Sequence, residues 1–290
     1  MAEIAANDVK ALRDKTGAGM MDCKRALADA GGDLAKAGEL LRERGLAKAV
    51  KRQGRETHEG TIGMALAGRS GALVELRCET DFVAKTPVFQ ELAGELASLA
   101  AQQAALAGVP ALLQAKLGGE KAEERIQAAV GRLGENVVLE RVARVAVDGD
   151  GRVGGYVHAG GKLGVLVALH TPLADGVDAL AKDLAMHVAA ADPTPLAVDR
   201  DGVPAELLDR ERALYQRQAE QEGKPANVIE RIVEGRVAKF YKEACLLEQP
   251  FVKDPERSVR QVVAEAAKRL GGALEVAGFV RFKLGEGADA

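Results

Sequence analysis

Few side chains in this sequence have the types and spacing that covalent chemistry requires. The four histidines show no HExxH or similar ligand spacing, and neither a GxSxG nor a Walker A pattern occurs. Cys78 lies close to Asp81, but no base that could activate its thiol is near it in sequence. His187 stands within an apolar helical stretch, where we expect a structural role. The residues therefore predict no catalytic site, no resident metal and no cofactor.

The segment "ETDFVAK", residues 79–85, suggests a different kind of chemistry. It follows "ALVELRC", which is typical of a buried strand, and precedes "FQELAGELASLAA", which is typical of an amphipathic helix. The connection places Asp81 beside Phe82, an apolar side chain that is either exposed or folded back over its own core. An exposed, rigidly held phenylalanine can wedge into a partner, and the adjacent carboxylate can compete with partner groups around a bound cation.

The composition favours a folded protein as the partner. The formal net charge is −3, so the global attraction that non-specific DNA binding needs is missing. Aromatic residues make up 3% of the chain and tryptophan is absent, which leaves little for base stacking. We expect neither direct nucleic-acid binding nor a membrane span, because no apolar run approaches the necessary length. The odd number of widely spaced cysteines predicts free, buried thiols in the cytoplasm.

Glycine punctuation divides the first fifty residues into three short predicted helices. They end at Gly17, at the Gly31–Gly32 pair and at Gly45, and Asp33 is the expected N-cap of the third. The Met20–Met21 pair begins the second helix. We expect one methionine to face the core and the other to be partly exposed, with both in the core as the alternative; an exposed methionine would offer a soft contact to a partner. A basic linker, "KAVKRQGRETHEG", is predicted to follow. Its solvated charges are Lys48, Lys51, Arg52 and Arg55.

An internal repeat organises the remainder of the chain. "EGTIGMALAGRSGALVELRC" and "DGRVGGYVHAGGKLGVLVALH" each predict a β-hairpin, in which Gly63 corresponds to Gly154. A helix follows each hairpin, and each copy ends with a further helix and a strand. In these last segments Leu133–Gly134 corresponds to Leu270–Gly271. The sequence thus predicts an α+β fold with two tandem subdomains, each holding a three-stranded antiparallel sheet.

The two copies differ at two places. Sixteen positions separate Leu76 from Leu92 in the first copy, whereas eleven separate Leu169 from Leu180 in the second, a difference of five. Because the second copy closes without these residues, the longer loop around "ETDFVAK" is predicted to serve function rather than packing. For the same reason we expect Phe82 to be exposed rather than folded back over its own core. The second copy is interrupted instead by a predicted antiparallel helical hairpin around the turn "EGKPAN".

These residues resemble the bacterial elongation factor Ts family, the guanine-nucleotide exchange factors of elongation factor Tu. The motifs "LRDKTGAGMMDCKRAL", "TDFVAK", "LGENVVLERV", "MHVAA", "VEGR", "QPFV" and "GFVRF" occur in the family's order, over essentially the whole chain. The resemblance implies a nucleotide exchange factor without covalent chemistry. The chain departs from the family at its end, "GEGADA", where we expect no further C-terminal helix of the kind that some members use against the same partner.

The resemblance also implies a division of the chain. Residues 1–54 would be a ubiquitin-associated-like (UBA-like) three-helix module, 55–148 the first core subdomain and 149–192 with 249–286 the second. Residues 193–248 would be an inserted coiled-coil hairpin that either dimerises or docks on the partner.

Site residues are implied in the same way. The loop that intrudes near the partner's magnesium site would be Thr80, Asp81, Phe82 and Val83. The partner-binding residues would be Leu12, Met20, Met21, Leu133, Gly134, Glu135, Asn136 and His158. Two other classes of function stay open from the residues: an adaptor built on the N-terminal bundle, and a hydrolase that uses Cys78.

Overall fold

The computed structural model describes residues 4–106, 108–173 and 175–287. Residues 1–3 of the predicted bundle and the last three residues of "GEGADA" lie outside these ranges, and the side chain of Lys48 is likewise outside the described part of the chain. The three predicted N-terminal helices are α1 (Ala6–Thr16), α2 (Met20–Asp29) and α3 (Leu34–Arg52). Gly17, with a φ of 66°, ends α1, and the Asp33 side chain accepts hydrogen bonds from Ala35 N and Lys36 N at the start of α3.

The prediction that the third helix ends at Gly45 was wrong, because α3 continues to Arg52. Gly45 lies at a close crossing between α3 and α7 (Ala122–Leu133). A Cβ built on Gly131 of α7 would lie 2.9 Å from the Cα of Gly45. Glycine permits such backbone contact as readily as it ends a helix. Residues 48–52 of the predicted linker are therefore the last part of a helix that joins the bundle to the core.

The first core unit holds β1 (Glu59–Ala67), β2 (Ser70–Cys78) and β5 (Val137–Ala146) in the antiparallel order β1-β2-β5. Its helices are α4 (Asp81–Ala84), α5 (Pro87–Gln102), α6 (Val109–Gln114) and α7, with a small hairpin of β3 (Lys116–Leu117) and β4 (Glu120–Lys121). The second unit holds β6 (Gly151–Val157), β7 (Leu163–His170) and β10 (Glu275–Lys283) in the order β6-β7-β10. Its helices are α8 (Val177–Ala190) and α11 (Val259–Leu270), with short strands β8 (Pro250–Phe251) and β9 (Asp254–Ser258).

The strand register confirms the internal repeat. Gly63 pairs with Val74, and its predicted counterpart Gly154 pairs with Val167. Each glycine lies under the helix of its own unit, because a Cβ on Gly63 would be 2.5 Å from the carbonyl oxygen of Ala93, and one on Gly154 would be 2.4 Å from the Cβ of Ala181. A side chain at either position would push the helix off the sheet.

The two sheets share a core that lies between them. It combines side chains from both central strands and from their neighbours: Ile62, Leu73, Val153, Leu166 and Phe282. The opposite faces of the sheets carry α5 and α7 in the first unit and α8 and α11 in the second. The predicted α+β class with small three-stranded antiparallel sheets is confirmed, and the helices form the outer layers.

A helical hairpin interrupts the second unit between α8 and α11. It consists of α9 (Ala205–Gln221) and α10 (Ala226–Ala244), which pack against each other, and a 3₁₀ turn (Leu246–Glu248) leads back to the core. Gln249 holds its base, since the Gln249 amide donates to the carbonyl oxygens of Pro193 and Glu243 at 2.9 and 2.6 Å. Among the described residues, no helix has both the length and the apolar character that crossing a membrane would take.

Candidate functional site

The longer connection of the first copy contains the short helix α4. Thr80 is its N-cap, where the Val83 N–H donates to Thr80 Oγ1 at 3.4 Å, and Thr86 caps the following helix α5. The described residues of the second copy pass from His170 at the end of β7 to Val177 at the start of α8 without such a helix. The longer loop is thus an ordered element with its own caps, which we call the α4 loop, residues 79–86.

Phe82 and Asp81 both have solvent-exposed side chains on this loop. The side chain of Phe82 is 80% exposed, an unusual state for a large aromatic residue on a capped helix. The expectation of an exposed Phe82, rather than one folded over its own core, is confirmed. Asp81 accepts a hydrogen bond from Lys85 Nζ at 2.6 Å, and this bond, with the charges of Lys85 and Lys162, holds the pKa of Asp81 below its ordinary value. An exposed carboxylate and an exposed ring therefore stand side by side.

A second loop, which follows α7, holds the start of the α4 loop through a set of hydrogen bonds that we call the brace. Glu135 Oε2 accepts hydrogen bonds from the backbone N–H groups of Glu79 and Thr80 at 3.1 and 2.9 Å, and Thr80 Oγ1 donates to Glu135 Oε1 at 2.6 Å. In return, Glu79 Oε1 accepts from the N–H of Asn136 at 2.7 Å. The two predicted segments "TDFV" and "LGEN" therefore meet in space and exchange hydrogen bonds.

The four residues of "LGEN" have different environments. Leu133 is half-buried against the core of the first unit, and Gly134, exposed and with a φ of 84°, ends α7. Asn136 is 6% exposed, and its amide donates to the carbonyl oxygen of Arg55 at 2.8 Å. Its side chain is thus engaged inside the protein rather than offered at the surface.

The predicted site residues of the bundle also divide by exposure. Met20 and Met21 are 58% and 64% exposed, so the expectation that one of them faces the core was wrong. The reason is local, because Cys23, Ala26 and Leu27 of α2 already fill the interior of the bundle. Leu12 is 1% exposed in that interior, so its side chain stabilises the module and could affect binding only indirectly.

His158 lies in the exposed turn between β6 and β7, which sits beside the α4 loop. Tyr156 Oη is 3.0 Å from His158 Nδ1, which orients the imidazole. Lys162 of the same turn donates to Glu59 at 2.7 Å, and Glu59 pairs with Cys78 immediately before the α4 loop. The structure thus brings His158 and the α4 loop to neighbouring parts of the two units.

Neither Cys78 nor His187 has the environment of a catalytic group. Cys78 is fully buried, and burial, with the charge of Glu135, raises the pKa of its thiol to about 12, the opposite of what a nucleophile needs. His187 is buried and held by Gln249 and Val252, as the prediction of a structural residue requires. No cluster of three or more metal-ligating side chains occurs among residues 4–106, 108–173 and 175–287.

Sequence reasoning missed Glu79 and Arg55 as members of this site. Glu79 joins the brace through Asn136, and its other carboxylate oxygen lies 3.4 Å from Arg55 Nη1. Strand pairing is the signal that could have found Glu79, because Cys78 and Val137 are register partners. Glu79 and Asn136, which are adjacent to this pair in the chain, must therefore lie close together in space.

Comparison with known proteins places these residues in a family. A family model described as Elongation factor TS matches residues 79–286. The chain is 44% identical to Elongation factor Ts of a Nitratiruptor species, in an alignment that covers 99% of this chain and 94% of the relative. It is also 44% identical to Elongation factor Ts of Prosthecochloris aestuarii, over 98% of this chain and 100% of the relative, and 45% identical to that of a Bradyrhizobium species, over 100% and 94%.

Proposed function

Since the chain belongs to the elongation factor Ts family, we propose that it is a guanine-nucleotide exchange factor in translation elongation whose partner is elongation factor Tu. The observation that carries the proposal is the exposed Phe82 beside Asp81, on a capped and braced helix that the described part of the twin subdomain lacks. The second unit closes without this helix, so its presence in the first must be explained by something outside the chain.

The proposed mechanism begins with the α4 loop entering the partner near its magnesium and phosphate site. Phe82 would wedge between partner elements, and the charged Asp81 would compete with the groups that surround the magnesium ion. Removing the magnesium removes the main charge compensation of the diphosphate. GDP then leaves faster without any covalent bond being made or broken, and GTP rebinds and expels the factor.

Linkage gives the thermodynamic side of the same mechanism. A factor that binds the nucleotide-free partner more tightly than the GDP-bound partner weakens GDP binding by the same factor. The binding energy must therefore come from contacts that the GDP-bound partner does not allow. A wedge that occupies space next to the phosphate site meets this requirement, whereas a contact remote from it would not.

The remaining contacts are proposed to fix the orientation of this protein relative to its partner. Met20 and Met21, both exposed, would present soft apolar side chains from the UBA-like bundle. His158 would contact the partner from the second subdomain, and Leu133 and Gly134 from the end of α7. The divisions 1–54, 55–148, 149–192 with 249–286 and 193–248 are proposed as modules. The last of these, a coiled coil, would dimerise or dock on the partner, and the cytoplasmic location stays a prediction.

The test is the rate of GDP release from elongation factor Tu, followed by stopped flow with a fluorescent GDP analogue. The wild-type protein should accelerate release, and Phe82→Ala should lower its kcat/KM for exchange roughly 30-fold, since truncating a central aromatic anchor costs about 2 kcal/mol or more. Asp81→Ala, alone and combined with Phe82→Ala, separates the two contributions.

Leu66→Ala is the matched control for an exposed apolar side chain. Leu66 is 47% exposed and lies at the end of β1 away from Glu59, which is the end that adjoins the α4 loop. We expect this variant to keep wild-type exchange. The proposal fails if the wild-type protein leaves GDP release unchanged, or if the Asp81→Ala, Phe82→Ala double variant exchanges as well as Leu66→Ala.

A further inference from the structure

We propose that Glu135 is a positioning residue for nucleotide exchange, which fixes the orientation of Phe82 from inside the protein rather than contacting the partner. This inference rests on the proposed function. Its basis is the brace between two loops, in which each loop supplies a carboxylate to the backbone of the other. Glu135 and Glu79 are the two carboxylates, and α4 follows directly from the braced residues.

The acceptor positions of Glu135 are directed into the α4 loop. Its carboxylate accepts two backbone N–H bonds and the Thr80 hydroxyl, at 2.6 to 3.1 Å. Hydrogen bonds to an ionised acceptor are roughly twice as strong as neutral ones. Thr80, in turn, caps α4 through its own side-chain oxygen. Glu135 thus holds the residue that begins the helix on which Phe82 stands.

The brace is anchored in the sheet and in the connection to the bundle. Glu79 and Asn136 each follow or precede a member of the register pair Cys78–Val137, which fixes their distance. Asn136 then donates through its side chain to the carbonyl oxygen of Arg55, in the segment that follows α3. Residues from three separate parts of the chain therefore converge under the α4 loop.

A helix as short as α4 needs such support. An isolated four-residue helix is unstable in water, since nucleation fixes several dihedral angles for a single hydrogen bond. Without the brace, Phe82 would sample many orientations, and binding would have to order the loop at an entropic cost. With the brace, the ring is already held in an exposed position before the partner arrives.

A direct contact between Glu135 and the partner makes the opposite prediction. If Glu135 bound the partner itself, its loss would weaken exchange independently of Phe82. If Glu135 acts through Phe82, its loss has no further consequence once the ring has been removed. A double-mutant cycle between the two positions separates these cases.

The experiment uses the full chain and measures two quantities. The first is hydrogen exchange of the Glu79 and Thr80 amides in the free protein, and the second is kcat/KM for GDP release from elongation factor Tu. The variants are Glu135→Ala, Glu135→Gln and each of these combined with Phe82→Ala. Glu95→Ala is the control, since its carboxylate pairs with the exposed Arg125 between α5 and α7 of the same unit.

We expect Glu135→Ala to expose the two amides to exchange and to lower kcat/KM roughly tenfold, which corresponds to about 1.4 kcal/mol. In the Phe82→Ala background the same change should lower kcat/KM less than twofold. Glu135→Gln keeps an acceptor for both N–H groups and a donor for Thr80 Oγ1. It should therefore restore the protection of the two amides and most of the kcat/KM for GDP release. Glu95→Ala should match wild type in both measurements.

Three results would overturn the inference. They are unchanged protection of the Glu79 and Thr80 amides in Glu135→Ala, a full tenfold loss in the Phe82→Ala background, and a Glu135→Gln variant with intact amide protection but the activity of Glu135→Ala. Thermal unfolding checks that Glu135→Ala is folded, and Glu135→Gln carries the test if it is not. A wild-type protein that does not accelerate GDP release would instead refute the proposed function, and the amide measurement would still decide whether Glu135 holds the α4 loop.

Discussion

Glu75→Ala should destabilise the junction of the two sheets more than any surface ion pair could. Glu75 is a fully buried carboxylate in β2. It accepts hydrogen bonds from Arg77 Nε at 2.7 Å, from Arg141 Nε at 2.5 Å and from the N–H of Gly285 at 3.1 Å. Gly285 follows β10 of the second unit, so one carboxylate ties the first sheet to the chain that leaves the second.

The magnitude follows from what the substitution leaves behind. The Arg77 side chain is 11% exposed, and its buried Nη2 already lacks a hydrogen-bond partner among the described residues. Removing one partner of a buried ion pair costs about 3–5 kcal/mol, because the remaining charge stays buried. Arg77 would keep only the more distant carboxylate of Glu140, 3.9 Å from its Nη1. If the 290 residues unfold as one unit with an entropy of about 2.1 cal/mol/K per residue, the melting temperature should fall by roughly 5–8 °C.

Thermal and urea unfolding of Glu75→Ala, measured beside Glu95→Ala, check this reasoning. Glu95 and Arg125 have exposed side chains, so breaking their pair should cost about 1 kcal/mol at most. A Glu75→Ala protein that melts within a degree or two of Glu95→Ala would refute the argument. It would mean that water enters the junction and solvates both arginines, or that the second unit docks without this tie.

Two further predictions concern packing and pH. Gly131→Ala should lower the free energy of unfolding, measured with urea, by about 1–3 kcal/mol, because its Cβ would lie 2.9 Å from the Cα of Gly45. Gly38→Ala is the control and should be neutral or stabilising, because a Cβ on Gly38 meets nothing within 4 Å. Burial lowers the pKa of His187 below its ordinary value of 6.5, so on acidification the unfolded chain binds this proton first, and the free energy of unfolding should fall as the pH drops below 6.5. His187→Gln should show a shallower decline in urea unfolding between about pH 7.5 and 5, and identical slopes would contradict the assignment.

The repeat made most of the fold predictable from the sequence. Two hairpins with corresponding glycines imply the same strand pairing, and the pairs Gly63–Val74 and Gly154–Val167 have that register. Counting residues between the repeats also located the α4 loop, because an insertion into one of two similar units changes length before it changes composition. The exposure of Phe82 followed from the same comparison.

Contacts between distant segments could not be predicted in this way. The hydrogen bonds from Thr80 to Glu135 join residues 55 positions apart, and they can be expected only once the register pair Cys78–Val137 is known. The role of Glu75 could not be predicted for the same reason. A carboxylate within an apolar strand can be explained only once the positions of its partners Arg141 and Gly285 are known. Gly45 shows the remaining ambiguity, because one residue type serves both helix ends and close helix crossings.

The positions of the two insertions argue for a division of labour between similar units. The first unit carries its additional residues between its hairpin and the next helix, as α4. The second carries its own between α8 and α11, as the α9–α10 hairpin. Within the described residues neither unit has the insertion of the other, yet both keep the glycine that seats a helix on its sheet. The common framework thus accounts for the stability that the two units share. The elements that differ, with Phe82 on one of them, are not needed for that framework and are therefore available for contacts specific to one partner.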